Sequence, residues 1–175
     1  MLHWQHPYKF SYFPANTSFE SMLGELVAMS LNNPGFSWNS NPASTELEVK
    51  VCHWVGSLMG LEEFITDDAC GCIQPSSSES VLLAIVIARE KALKKYENIS
   101  QDKLLIYAST QTHSAVLKAS RVLNLNIRFL DVSKEDEFSL RGHTFQNSLD
   151  EDIKNGWIPF ILGRCIFIKI KHSVK

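Results

Sequence analysis

Three short aliphatic segments alternate with helical patterns in the second half of the chain, and this alternation limits the folds open to it. The segments 104–108, 127–132 and 159–162 have the composition of buried strands, and helical spacing separates them at 113–123 and 145–155. Strands that alternate with helices pair in parallel, because each helix carries the chain back across the sheet. The sequence therefore predicts an α/β fold with a mostly parallel sheet flanked by helices.

Helical spacing also predicts three helices upstream of the first strand, at 18–31, 44–60 and 76–96. In the second of these, Thr45 and Glu48 fit a capping box, in which each side chain accepts a backbone N–H at the helix start. The apolar residues of each helix fall on one face, which is typical of a helix that packs against another surface.

The composition excludes several functional classes. The net charge of −2 is the sum of a basic tail and a more acidic body, whereas nucleic-acid binders present a basic face. Cys70 and Cys72 are too close together for a zinc site, and no apolar run reaches the roughly 20 residues of a membrane span. The N-terminus does not resemble a signal peptide. We therefore expect a cytoplasmic protein that binds no metal, nucleic acid or membrane.

A serine-rich helix start follows a short strand candidate at 71–74. Ser76, Ser77 and Ser78 stand where a helix presents unpaired N–H groups and a partial positive charge, which together suit a phosphate. The alternative is ordinary N-capping, since Ser76 and Glu79 also fit a capping box. The local sequence does not decide between phosphate binding and N-capping.

His113 is the second candidate for chemistry. It follows the predicted strand 104–108 and begins the next helix, which is the carboxyl end of a strand, where α/β sheets bind ligands. An imidazole there could stack on a flat ligand or transfer a proton. The alternative is a histidine that only starts the helix. No glycine-rich phosphate loop is present, so a nucleotide site has no support.

Short blocks in a fixed order between residues 3 and 162 carry a family resemblance. They are His3-Trp4-Gln5, Tyr12-Phe13-Pro14, Gly35-Phe36-Ser37-Trp38, residues 42–48, Ser78-Glu79-Ser80, His113-Ser114, residues 138–142 and Ile158-Pro159-Phe160. In these blocks the chain resembles animal aromatic-L-amino-acid decarboxylases and histidine decarboxylases, which are group II pyridoxal-phosphate (PLP) dependent decarboxylases.

The resemblance implies a partial large domain of the aspartate-aminotransferase-like fold, fold type I of PLP-dependent transferases, with pyridoxal 5′-phosphate as cofactor. By position, Ser77 and Ser78 would hold the cofactor phosphate through backbone N–H and hydroxyl groups. His113 would stack on the pyridine ring. The implied reaction is decarboxylation of an aromatic L-amino acid, of the dopa, 5-hydroxytryptophan, tyrosine or histidine type, to its amine.

The resemblance also implies an aromatic substrate pocket in a homodimer. The residues expected to line it are Trp4, Tyr12, Phe13 and Pro14, with Phe36 from the other subunit. Phe13 is more like the dopa-type enzymes, whereas the Ala15 that follows Pro14 is more like histidine decarboxylases. The sequence therefore leaves the substrate undecided.

Three departures from the family pattern shape the expected activity. Pro75 removes one N–H near the phosphate loop. The family blocks His-x-Asp-Ala-Ala and Asn-x-His-Lys, which supply the acid partner of the ring and the Schiff-base lysine, do not occur in this sequence. The tail 163–175 is basic and outside the family pattern. We expect this chain to be inactive alone, and the alternative function is a non-catalytic, truncated isoform that pairs with the full-length decarboxylase.

Three regions follow from these patterns. Residues 1–43 form an aromatic loop, a helix and a segment for the dimer and substrate contacts. Residues 44–162 form the partial cofactor-binding domain, and residues 163–175 form the tail.

Overall fold

The computed structural model describes residues 3–10, 15, 17–61, 65, 71–96 and 98–163. Contacts between Cα atoms divide the chain into two compact units, Met1–Ile73 and Gln74–Lys175. Tail residues 164–175 lie outside the described residues, and the predicted region boundaries stay predictions. No helix in the described part is long and apolar enough to cross a lipid bilayer.

The first helix of the N-terminal unit, α1, covers Phe19–Leu31, as the spacing predicts. It begins at Ser18, whose hydroxyl accepts the backbone N–H of Ser21 at 3.1 Å. It ends at Asn32, whose φ of 40° is the left-handed conformation that stops a helix. No residue of α1 is buried.

The second helix, α2, covers Pro42–Leu58 and corrects the predicted capping box. Asn41 caps the helix, because its side chain accepts the backbone N–H three residues further on at 3.2 Å. Pro42 suits the first helical position, where no N–H is needed, so the helix begins before Thr45. Glu48 instead accepts the backbone N–H of Ile73 at 2.7 Å. The capping box at Thr45 and Glu48 is therefore wrong.

The described residues of the second unit contain a parallel sheet of three strands. They are β1 (Leu104–Ser109), β2 (Asn126–Leu130) and β3 (Ile158–Gly163), in the order β2-β1-β3. Both neighbours of β1 run parallel to it, and Ala108 pairs with Gly163 near the carboxyl ends. The three predicted strands and their parallel pairing are confirmed.

Three helices connect or flank these strands: α3 (Ser77–Lys95), α4 (Ala115–Val122) and α5 (Gly142–Lys154). All three predicted helices are confirmed, with their ends shifted by a few residues. The strand predicted at 71–74 is wrong, because these residues form no strand. The side chain of Ile73 is 63% exposed, and its N–H bonds to a carboxylate instead of to a neighbouring strand.

Both faces of the central strand β1 are covered, as expected for a strand inside a parallel sheet. All six residues of β1 are buried, and alternate residues contribute to opposite faces. On one face Leu104, Ile106 and Ala108 pack with Ile85, Ala92, Val116 and Ala119. On the other face Leu105 and Tyr107 pack with Leu130, Phe145, Leu149 and Trp157. Strand β1 is thus the centre of the core.

A buried polar contact fastens α5 to the sheet. The Tyr107 hydroxyl donates to the carboxylate of Asp152, which is itself 5% exposed. Arg128 on β2 donates to the other oxygen of Asp152 at 2.7 Å and to Glu151 at 2.7 Å. Burial, together with the hydrogen bond and charge of Asp152, raises the pKa of Tyr107 above its usual range. This tie lies on the side of the sheet that packs against α5.

Candidate functional site

A cavity of about 360 Å³ lies within the second unit, at the carboxyl ends of β1 and β3. This volume is within the roughly 300–1,000 Å³ typical of small-molecule sites, and ligands bind at this end of parallel strands. Three polar side chains line it, from Ser77, Thr112 and His113. Most of its wall is aliphatic, from Val81, Ile85, Ile106, Val116 and Ile161.

The start of α3 forms one side of the cavity. Ser76 is the N-cap, since its hydroxyl accepts the N–H of Glu79 at 3.3 Å and donates to the Glu79 carboxylate at 2.7 Å. Ser77 and Ser78 are the first two residues of the helix, whose N–H groups have no acceptor within it. Ser77 lines the cavity, whereas Ser78 is not among the lining residues. Pro75 precedes the cap, so its missing N–H is not one of the helical ones.

The turn between β1 and α4 places His113 on the same cavity. Its Nδ1 accepts the backbone N–H of Ala115 at 3.2 Å, so the imidazole caps the start of α4. When Nδ1 is an acceptor, a neutral ring carries its proton on Nε2. His113 is otherwise exposed, so one surface of the ring can be covered by a ligand. His113 can therefore both start the helix and contact a ligand, so the two interpretations of this residue are compatible.

Thr112 is a site residue that the sequence analysis missed. Its Oγ1 donates to the backbone oxygen of Gly163 at 3.1 Å and accepts the N–H of Ser109 at 3.0 Å. The sequence shows that Thr112 lies between the end of the first strand and His113. It does not show that the Thr112 hydroxyl contacts β3. Thr112 therefore belongs to the wall of the cavity and to the hydrogen bonding of the sheet end.

These residues fit part of a pyridoxal phosphate group. The helix start offers N–H and hydroxyl donors to a phosphate, and an imidazole ring lines the same cavity. Among the described residues no Asp or Glu lines the cavity, so no carboxylate there repels an anion. No lysine lines it either, so the described wall offers the cofactor no amine for covalent attachment.

The predicted substrate residues belong to the N-terminal unit. Trp4 lies in the loop 3–10, where the Lys9 ammonium is 2.9 Å from the centre of a Trp4 ring, in a cation–π contact. Phe36 lies between α1 and α2 and is 83% exposed. Tyr12, Phe13 and Pro14 lie outside the described residues. The role of these five residues in a substrate pocket stays a prediction.

Comparison with known proteins identifies the family. The conserved domain of pyridoxal-dependent decarboxylases matches residues 1–166. Phenylacetaldehyde synthase of Arabidopsis thaliana is 39% identical over an alignment of 165 positions, which covers 91% of this chain and 34% of that protein. Histidine decarboxylase of Rattus norvegicus is 36% identical over a gapped alignment of 192 positions, which covers 98% of this chain and 29% of that protein.

A solved structure agrees with the sequence comparison. The crystal structure of Catharanthus roseus tryptophan decarboxylase in complex with L-tryptophan superimposes with a TM-score of 0.82 and 34% identity. The match covers 93% of this chain and 36% of that one, and the chain spans about a third of the length of the curated relatives it matches. Its α/β fold is therefore that of part of these decarboxylases. The chain belongs to the family of pyridoxal-dependent decarboxylases, whose cofactor is pyridoxal 5′-phosphate.

Proposed function

We propose that the second unit forms the phosphate- and ring-binding part of a PLP site, in an enzyme that decarboxylates an aromatic L-amino acid. The observation that carries the proposal is the single cavity shared by Ser77 and His113. These residues are 36 positions apart in the sequence, and the parallel sheet brings them to the same wall. One is at a helix start that suits a phosphate, and the other offers a flat ring.

Each residue has a distinct proposed role. Ser77 and Ser78 hold the phosphate through the unpaired N–H groups of the first turn, and the Ser77 hydroxyl, which lines the cavity, adds a donor. The Ser76 hydroxyl is already engaged with Glu79, so it caps the helix and leaves the next residues for the ligand. The positive end of the α3 dipole favours the negative charge of the phosphate.

His113 stacks on the cofactor ring in this proposal. Because Ala115 N–H holds Nδ1, the orientation of the imidazole is fixed from the protein side, and Nε2–H can donate to a bound substrate. PLP, when bound, supplies an electron sink for cleavage at the substrate α-carbon. The aliphatic wall excludes water from the inner part of the cavity and so strengthens these polar contacts.

The substrate class rests on aromatic residues and on the names of relatives. Trp4, Tyr12, Phe13, Pro14 and Phe36 offer aromatic and apolar surface to a ring-bearing side chain. The relatives named above are a histidine decarboxylase, a tryptophan decarboxylase and a phenylacetaldehyde synthase. Their names agree on a ring-bearing amino acid or product and differ in whether an amine or an aldehyde is implied. We propose an aromatic or imidazole L-amino acid as the substrate and a cytoplasmic location.

A second candidate is a non-catalytic role in which this chain pairs with a longer decarboxylase. The specific observation in its favour is that α1 and α2 have no buried residue, although both carry apolar side chains. Leu26, Trp54 and Leu58 are 63%, 63% and 87% exposed. Apolar helix faces of this kind are covered in stable proteins by another surface. A homodimer, with Phe36 reaching the other subunit, would use the same surfaces.

Binding of pyridoxamine 5′-phosphate tests the cofactor site. This ligand has the phosphate and ring of PLP but no aldehyde, so it cannot attach to surface lysines. We expect the purified chain to bind it by calorimetry, and to bind pyridoxamine without phosphate at least about tenfold more weakly, as expected for loss of charge-assisted hydrogen bonds. Equal affinity for the two ligands would mean that the helix start holds no phosphate.

Two variants locate the binding. Ser77→Asp should abolish binding of pyridoxamine 5′-phosphate, because it places a negative charge at the proposed phosphate position. The same charge is favourable at a helix start, so loss of folding does not explain the result. Ser80→Asp is the matched control, since Ser80 is on the same helix turn but does not line the cavity. His113→Ala should weaken binding of both ligands, because it removes a ring contact that they share.

The second candidate gives a different pattern in the same preparation. If the chain only pairs with a longer decarboxylase, it should bind no pyridoxamine 5′-phosphate but should co-sediment with that enzyme. A charged substitution on α2, Trp54→Asp, should then prevent the association.

A further inference from the structure

We infer that Thr112 is a positioning residue, whose hydroxyl ties the carboxyl ends of β1 and β3 together and thereby fixes His113 in the cavity wall. The inference rests on the proposed function, because His113 is useful at that position only if the cavity holds the cofactor ring. Nothing in the family comparison assigns Thr112 a role. It contributes one of the polar side chains of the cavity.

The Thr112 hydroxyl joins two strands that are distant in sequence. Gly163, the last residue of β3, is 51 positions from Thr112, and its backbone oxygen is 3.1 Å from Thr112 Oγ1. Ser109, the last residue of β1, donates its backbone N–H to Thr112 Oγ1 at 3.0 Å, and the Ser109 hydroxyl oxygen is 3.1 Å from the same Oγ1. The backbone closes the turn from the other side, since Thr112 N–H donates to Ser109 O at 2.9 Å.

Counting donors and acceptors assigns every proton in this cluster. A threonine hydroxyl has one hydrogen and two lone pairs. The hydrogen must go to the Gly163 oxygen, because a carbonyl cannot donate. One lone pair accepts the Ser109 N–H, and the Ser109 hydroxyl must therefore donate to the other. The hydroxyl of Thr112 is thus fully used by the strand ends and has no capacity left for a ligand, so its role is to position and not to bind.

We call the hydrogen bonds of the Thr112 hydroxyl to Ser109 and Gly163 the clamp, and it acts on the next residue, His113. The ring of His113 is held by the Ala115 N–H, which donates to Nδ1. Its backbone is held by the preceding turn, which Thr112 closes. With ring and backbone both held, the imidazole cannot swing with a loose loop, although it is exposed to solvent. Ser109 is 7% exposed, so its N–H has no ready replacement for the Thr112 oxygen. Loss of the hydroxyl should therefore open the turn.

Three variants of the full chain isolate the hydroxyl. Thr112→Val keeps the shape and removes the clamp in a wall that is already aliphatic. Thr112→Ser keeps the hydroxyl and should restore the clamp. Thr110→Val is the matched control, because Thr110 lies in the same turn, is exposed, and does not line the cavity.

Affinity for pyridoxamine 5′-phosphate is the first measurement. Thr112→Val should weaken binding about tenfold, the factor expected when a buried N–H loses its acceptor and the site loosens. Thr112→Ser should stay within about threefold of the unchanged chain, and Thr110→Val should not change it. Equal affinity of Thr112→Val and the unchanged chain would overturn the inference.

Nuclear magnetic resonance of the ligand-free chain is the second measurement, and it separates this inference from the proposed function. Thr112→Val should broaden or shift the His113 ring signals and speed exchange of the Ser109 amide, while Thr112→Ser leaves both close to those of the unchanged chain. If the unchanged chain binds no pyridoxamine 5′-phosphate, the proposed function fails, and these signals still decide whether the clamp exists. Unaltered His113 signals and Ser109 exchange in Thr112→Val would overturn the clamp whatever the ligand does.

Discussion

The two units of the chain use similar helices but bury them very differently. In α3 and α4 of the second unit, apolar residues such as Ile85 and Val116 are 2% and 7% exposed. In α1 and α2 of the N-terminal unit, no residue is buried, and Leu58 is 87% exposed. Every buried apolar residue of the described chain lies between 85 and 130, within the second unit. The cavity with Ser77 and His113 lies there too.

The difference shows what an amphipathic pattern can and cannot specify. An apolar stripe predicts that a helix will have one buried face, but the stripe does not contain the surface that covers it. In the second unit β1 supplies that surface on both of its faces. In the N-terminal unit the described residues leave every residue of α1 exposed and cover α2 only in part, around Val51 and Gly56. The stability of this chain should therefore depend on the sheet and hardly at all on α1 and α2.

Truncation of a core residue should give the largest effect. Ile106 on β1 is 0% exposed and packs between the sheet and α3. Ile106→Ala should lower the free energy of unfolding by about 4 kcal/mol, because it removes buried methyl groups and leaves a cavity. Urea unfolding followed by circular dichroism measures the change.

Leu58→Ala is the matched control in the N-terminal unit, where the side chain is 87% exposed. It should change the free energy of unfolding by less than about 0.5 kcal/mol. If Leu58→Ala cost as much as Ile106→Ala, the α2 face would be buried in solution, as it would be in a homodimer. Repeating the pair of measurements at several protein concentrations would identify that case.

The same contrast explains which parts of the fold were predictable. The strands of the second unit were found because their apolar runs and intervening helices are local patterns. The predictions of a strand at 71–74 and of a capping box at Thr45 were wrong. Each fits a local pattern, but the backbone groups concerned bond to residues outside that pattern. Ile73 N–H bonds to Glu48, and Asn41 with Pro42 starts the helix earlier. Local sequence cannot rank these competing partners.

The candidate site divides in the same way. Ser77 and His113 were predictable because a serine-rich helix start and a histidine after a strand carry a chemical reason in the sequence. Thr112 was not, because its role depends on Gly163, 51 residues away. The tie between Tyr107 and Asp152 was missed for the same reason, since those residues are 45 positions apart. Polar contacts between distant elements are what the sequence pattern leaves out.

That tie should give the second largest effect. Asp152→Ala should lower the free energy of unfolding by about 2 kcal/mol, because the Tyr107 hydroxyl loses its charged, buried acceptor and keeps only the backbone oxygen of Ser148 at 3.2 Å. Arg128 also loses the buried one of its two carboxylate partners. Glu151→Ala tests the exposed arm of the same arginine. Its side chain is 61% exposed, so the pair with Arg128 should contribute less than about 1 kcal/mol. Equal costs for the two variants would show that burial does not set the strength of the tie.

The pH dependence of stability gives a smaller effect on the same contact. Burial, the hydrogen bond to Asp152 and its negative charge raise the pKa of Tyr107, so the folded chain keeps a proton that an unfolded tyrosine loses near pH ~10. The contribution of Tyr107 is therefore complete below that pH and is lost as the pH rises above it. Tyr107→Phe has no proton to lose.

Urea midpoints between pH 8 and 11 measure this contribution. We expect the decline above pH ~10 to be shallower in Tyr107→Phe than in the unchanged chain, because one linked proton is gone. Tyr96→Phe, at a position that is 39% exposed, should leave the decline as it is. A decline equally steep in all three proteins would assign it to groups other than Tyr107.

The two helix caps provide the smallest and most direct test of the contrast. Ser76 and Asn41 make the same kind of bond, since each side chain accepts a backbone N–H three residues further on, at 3.3 Å and 3.2 Å. Replacing either by Ala removes one acceptor from a helix start, a change usually worth about 1 kcal/mol. Ser76→Ala should lower the free energy of unfolding of the second unit by that amount, because α3 packs on the sheet. Asn41→Ala should increase amide exchange in α2 and leave that free energy unchanged. Equal losses in the two variants would mean that the units unfold together, and the apolar faces of α1 and α2 would then have to be covered in solution.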